Sequence, residues 1–203
     1  MKQVSRDRMS NYCKLGTLFF VLMLNVLACA NSKESAESVI FNVDSLLIDE
    51  VFIDNEINVS FHPPINWTKL PKEQFQIIAE KISTLDSLEI EVILKQIFVS
   101  KEEQNVCVIS NIVKDDVLII AQYVDLLRNQ HEILQELDFA YNGFLFKQIS
   151  INNDEKIMLK FLIYNDNKIF MIDYLLKTNL YPNQVRAIES SIGSLSKINK
   201  EEI

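Results

Sequence analysis

Three cysteines, Cys13, Cys29 and Cys107, and two histidines, His62 and His131, are the side chains best suited to act as nucleophiles, ligands or proton carriers. Their spacing argues against most of that chemistry. A metal centre needs several converging donors, whereas the histidines lie 69 positions apart and outside any H-x-H or H-E-x-x-H pattern. Cys107 sits in the apolar run VCVI, where a buried and inert thiol is expected. His62 precedes Pro63 at a strand end, a place that suits a structural or exposed histidine better than a general base. Acids are adjacent at Glu102-Glu103, Asp115-Asp116, Asp154-Glu155 and Glu201-Glu202. Neighbours in a strand point to opposite faces, and in a helix they diverge by about 100°. These pairs therefore read as solvated faces rather than catalytic dyads. A nucleophile elbow, a P-loop and a dinucleotide fingerprint are all missing. No catalytic residue, metal site or cofactor is expected, which points to a non-catalytic binding or accessory module. The alternative is a hydrolase whose carboxylates are brought together by the fold.

Cys29 has a different context. Leu15–Ala28 is an uncharged run of 14 residues behind a basic stretch that holds Lys2, Arg6, Arg8 and Lys14. A spanning helix needs about 20 apolar residues. A signal peptide needs a basic region, roughly 7–15 apolar residues and a small residue at the cut. Residues 1–28 fit the second description, with an uncleaved signal anchor as the alternative. Val26-Leu27-Ala28-Cys29 resembles the lipobox of bacterial lipoproteins, with Val26 where leucine is commoner. The resemblance implies cleavage between Ala28 and Cys29, diacylglycerol on the Cys29 thiol, and an acyl chain on its new amino group. Membrane lipid is then a partner, because two or more chains anchor stably where one does not. Residues 29–40 become a lipidated terminus and tether, followed by one domain over 41–203. Cys13 leaves with the signal and Cys29 is acylated, so Cys107 has no disulfide partner. Ala30 in place of aspartate resembles the sorting pattern for the outer membrane of Gram-negative cells. That implies a domain facing the periplasm or the cell surface, with another envelope protein as a candidate partner.

Charge excludes one class of partner. The whole chain carries −8 and residues 1–28 carry +3, which leaves −11 on the remainder. Nucleic-acid binding needs clustered Lys and Arg to displace counterions, so it is not expected.

The elements that must position any site follow from periodicity. Ser45–Ile53 and Ile57–His62 read as a hairpin, and the two prolines of Pro63-Pro64-Ile65-Asn66-Trp67 force an irregular corner. Pro71 opens a helix with Phe75, Ile78, Ala79 and Ile82 on one side. Val92–Val99 and Asn105–Ile112 read as strands. A second helix starts at Asp115-Asp116, carries Val117, Ile120, Ala121, Val124 and Leu127, and continues through Ile133 and Leu134. Three strands follow at Phe144–Ile151, Lys156–Tyr164 and Ile169–Lys177, and Pro182 opens a last helix with Val185, Ile188, Ile192 and Leu195. The order β-β-α-β-β-α-β-β-β-α predicts an α+β domain, an antiparallel sheet flanked by helices.

The corner FHPPINW and the closing KIFMIDYLLKTNLYPNQVRAIESSIGSLSKI resemble the PsbP-like fold, which implies an α/β/α sandwich. The stretch from Ser87 to Ala140 matches none of its motifs. Trp67, the one tryptophan, has two readings: a core plug under the corner, or an exposed aromatic that seats a partner. In the second reading Trp67 and Tyr181 form a candidate binding surface.

Overall fold

Runs of seven to ten residues rich in β-branched, aromatic and other apolar side chains drive the middle and end of this chain into long strands. The computed structural model describes residues 37–82, 90–100, 105–113, 117–153, 155–166 and 168–198. Ala28, Cys29, the expected signal peptide and most of the tether lie outside the described residues, as do Asp115, Asp116 and Asp154.

Eight strands form the main sheet: β1 (Glu37–Ser38), β4 (Trp67–Lys69), β5 (Val92–Ser100), β6 (Val106–Ile112), β7 (Glu132–Tyr141), β8 (Phe144–Asn153), β9 (Lys156–Asn165) and β10 (Lys168–Lys177). Their spatial order is β1-β7-β8-β9-β10-β6-β5-β4. Every pairing is antiparallel except that of β1 with β7. A smaller sheet orders β11 (Ser196–Lys197), β3 (Val59–Phe61) and β2 (Phe52–Asp54). Three helices complete the domain: α1 (Lys72–Ile82), α2 (Val117–Gln130) and α3 (Tyr181–Gly193). The class is therefore α+β, with a largely antiparallel sheet between helices, as the sequence predicts.

The main sheet feeds two cores, one from each face. Phe144, Phe146, Phe161, Phe170, Tyr174 and Leu176 point toward α3 and the smaller sheet, where Ile188, Ile192 and Phe61 meet them. This core is aromatic, with Phe139 stacked on Phe146 at 4.7 Å and edge contacts around Phe144, Phe161 and Tyr174. On the other face Ile149, Ile151, Leu162, Ile169 and Met171 receive Ile120, Val124 and Leu127 of α2.

Four sequence expectations give way to the structure. The second helix stops at Gln130, and Ile133 and Leu134 belong to β7 instead. The reason lies downstream. Asn142 and Gly143 take φ of 47° and 76°, the left-handed pair of a tight hairpin turn. That turn zips Tyr141 to Phe144 and continues back to Glu132 opposite Asn152. Arg128 ties the helix to the new strand, its Nε and Nη2 donating to the Glu136 carboxylate at 2.7 Å each. The expected strand Ser45–Ile53 opens instead with a 3-10 turn at Ser45–Leu47, where the Asp44 carboxylate caps the Leu46 N–H at 3.0 Å, and strand begins only at Phe52, paired with Phe61. Leu195 lies beyond α3 rather than in it, yet is fully buried. Trp67 is only 3% exposed, packed edge-on to Tyr174, so the exposed reading of Trp67 falls and the core plug stands.

One glycine is fixed by close approach. A Cβ on Gly193 would lie 2.6 Å from Phe41 Cβ and 2.8 Å from Val43 Cγ2. We expect Gly193→Ala to lower the free energy of unfolding by about 1–3 kcal/mol, the usual cost of overpacking. Urea denaturation with unchanged m-value is the check, and a neutral result would show that residues 41–43 shift freely.

Candidate binding groove

The strands β9 and β10 are joined by a turn at Asn165–Lys168, with Asp166 left-handed at φ 53°. That turn fixes a register in which Lys160 lies directly opposite Asp173. Both side chains project from the α2 face, between Met158 and Met171, and the Lys160 Nζ donates to Asp173 Oδ2 at 2.6 Å. Lys160 is 5% exposed. The Tyr123 ring of α2 lies over its ammonium at 5.5 Å. Burial works against the charge on Lys160, but the Asp173 carboxylate and the Tyr123 phenol oxygen, each by charge and by hydrogen bonding, outweigh it and hold the lysine above its ordinary pKa.

This pair forms part of the floor of a groove of about 510 Å³ between α2 and the sheet. That size lies within the range of about 300–1,000 Å³ seen for small-molecule sites. The walls are apolar: Leu94, Val108, Leu126, Met158 and Leu175 are among them. Polar atoms come from Ser110, Gln130 and His131, the last exposed at the rim. Asp173 Oδ1 is buried and meets no hydrogen-bond donor among the described residues. Leaving such an acceptor unpaired costs about 1–3 kcal/mol.

The residues singled out in the sequence have other places. His62 is part of the corner: its Nδ1 lies 2.7 Å from the Asp49 carbonyl, and its own carbonyl accepts from the Ser191 hydroxyl. Cys107 is fully buried, and burial raises its pKa well above that of a free thiol. Tyr174 is equally buried, donating to Ser191 Oγ at 3.0 Å. Tyr181 lines a second hollow of about 290 Å³ with Phe41, Leu137, Val185 and Glu189, on the opposite face from the groove. The structure does not bring Trp67 into that hollow. Among the described residues no cluster of His, Cys, Asp or Glu could hold a metal. Sequence reasoning missed the groove because Lys160 and Asp173 are 13 residues apart and look like ordinary strand charges. The signal was available in the hairpin: counting back from Asn165 and forward from Lys168 places the two opposite each other, inside otherwise apolar runs.

No family model and no curated protein matches this chain. Among solved structures it is similar to cyanobacterial PsbP (CyanoP) from Synechocystis sp. PCC 6803, at 13% identity and a TM-score of 0.48, covering 73% of this chain and 92% of that one. It is also similar to PA94, a protein of unknown function from Pseudomonas aeruginosa, at 10% identity and a TM-score of 0.44, covering 74% and 98%.

The buried pair makes a stability prediction. Lys160→Met or Asp173→Asn alone leaves one charge without its partner and should cost about 3–5 kcal/mol, whereas Lys160→Met with Asp173→Leu should recover most of that loss. Chemical denaturation of the three variants reads the outcome; additive losses in the double variant would mean the pair does not act as a unit. The folded-state pKa of Lys160 lies above its unfolded value. Its contribution is therefore fully present below about pH 10 and is lost as pH rises through the folded value.

Proposed function

We propose that the chain is a lipid-anchored cell-envelope protein whose α+β domain is a non-catalytic binding or accessory module. The observation that carries the binding role is the groove: apolar walls over a floor that holds a buried, hydrogen-bonded ion pair. Such a combination of apolar surface and few placed polar groups is what small-molecule sites are made of. The alternative, a hydrolase built on two carboxylates, finds less support. Among the described residues Asp173 is the one carboxylate lining the groove, and its Oδ2 is taken by Lys160. A general acid–base pair would need a second carboxyl group within reach.

The envelope address rests on Val26-Leu27-Ala28-Cys29 and the basic, apolar leader before it. Acylation of Cys29 would supply membrane lipid as the permanent partner, and the acidic domain would then work at the membrane surface, in the periplasm or outside. Ala30, where the sorting pattern it resembles lacks aspartate, is what supports outer rather than inner membrane.

Two measurements test this. Metabolic labelling with a palmitate analogue should mark the wild type and leave Cys29→Ala unmarked and released from membranes; equal labelling of both would remove the anchor. Native mass spectrometry of the protein recovered from its own envelope should show a retained small molecule that Val108→Trp lacks. A bare wild-type mass would count against the binding role.

A further inference from the structure

Successive residues at the turn between β7 and β8 each touch the segment that leads from α3 to β11. The Tyr141 hydroxyl donates to the Gly193 carbonyl at 2.8 Å, and Asn142 Nδ2 donates to the Leu195 carbonyl at 3.0 Å. Gly143 lies beside Lys197, whose Cε would be 3.7 Å from a Cβ added there. The turn is in this way latched to residues 193–197.

Asn142-Gly143 is also the one Asn-Gly pair in the chain, and both residues are exposed. An asparagine before glycine is open to loss of its side-chain amide, because no Cβ on the second residue hinders the attacking backbone nitrogen. The Gly143 nitrogen gives up its proton to hydroxide and attacks Asn142 Cγ. A five-membered imide forms, the Cγ–Nδ2 bond breaks, and ammonia leaves. Water then opens the ring at either carbonyl, giving aspartate or isoaspartate with one added negative charge. The folded turn resists this chemistry. Asn142 is held at φ 47° by the two strands it joins, and the departing nitrogen is tied to Leu195. Ring closure needs the carboxamide to leave Leu195 and swing back toward Gly143.

We propose that Asn142 is a deamidation site gated by its own latch: release of residues 193–197 from the turn frees the amide for attack, and the product keeps the latch from closing again. A carboxylate at position 142 has no proton to donate to the Leu195 carbonyl. Isoaspartate also adds a backbone methylene to the tight turn that sets β7 against β8. A transient opening thus leaves a permanent mark, at a rate set by how often the latch is open.

The test holds the full chain, purified in detergent, at mildly alkaline pH and follows each asparagine by peptide mass mapping. In guanidinium chloride Asn142 should deamidate faster than any other asparagine. In the folded protein it should react at least about tenfold more slowly, roughly what one strong hydrogen bond supplies. Tyr141→Phe keeps the ring and removes the bond to Gly193, and should speed the folded-state reaction about fivefold. Ile120→Val, in the core on the other face, lowers stability without touching the latch and should leave the rate at the wild-type value. Lys197→Met loosens the same latch and replaces Tyr141→Phe if that variant does not fold. Equal rates in folded and unfolded protein, or a latch variant that reacts like the wild type, overturn the gate. Equal acceleration by Tyr141→Phe and Ile120→Val also overturns it, since global unfolding would then set the rate. A stable Asn142 in guanidinium chloride overturns the site itself.

Discussion

The constraint on which this domain depends is the two-residue period of β9 and β10. Both faces of these strands are covered, so each successive side chain must suit a different core. Leu159, Phe161 and Ile163 serve the aromatic side, while Met158, Lys160 and Leu162 serve the α2 side. Phe170, Ile172 and Tyr174 alternate with Ile169, Met171 and Asp173 in the same way. A slip of one residue would carry Lys160 and Asp173 into the packed phenylalanines and expose an aromatic row to the groove. The Asn165–Lys168 turn, with Asn165 Nδ2 donating to the Ile57 carbonyl at 2.9 Å, pins the register that prevents this.

That alternation is also why so much of the architecture can be read from residue order. β5, β6, β8, β9, β10 and α3 appear in the sequence close to where they form, since each strand is a run of β-formers, α3 has a helical period, and a polar break or proline marks their boundaries. β7 was not legible from its own residues. EILQELDFAY has apolar side chains at mixed spacing, and the bulge between Ile133 and Gln135 breaks its alternation. Ile133 and Leu134 thus look like one more turn of the preceding helix. The dipeptide Asn142-Gly143 carried the missing information, since it demands a strand on either side. β4 and β11 are too short for periodicity to register at all.

The candidate site was less legible than the fold, for a physical reason. Single tryptophans and histidines attract attention, yet Trp67 and His62 spend their chemistry on packing and on closing the corner. The groove instead depends on a lysine and an aspartate that a strand pattern assigns to solvent. Only the presence of α2 over that face turns them into a buried pair, and helix placement is a tertiary fact that no local pattern contains.

β7 has one further consequence. It forms the flank of the main sheet, covered by β1 only at Phe139 and Ala140 among the described pairings. Along the rest of it stand Glu132, Glu136 and Asp138, with Lys147 and Arg128 held against two of them. An exposed flank invites a second copy to add its own strand, and charge is a standard guard against that. Each encounter between two copies of the domain gives such a flank a chance to pair. The charged side chains of β7 stand where a second strand would have to lie, so a copy that paired there would have to strip them of water first.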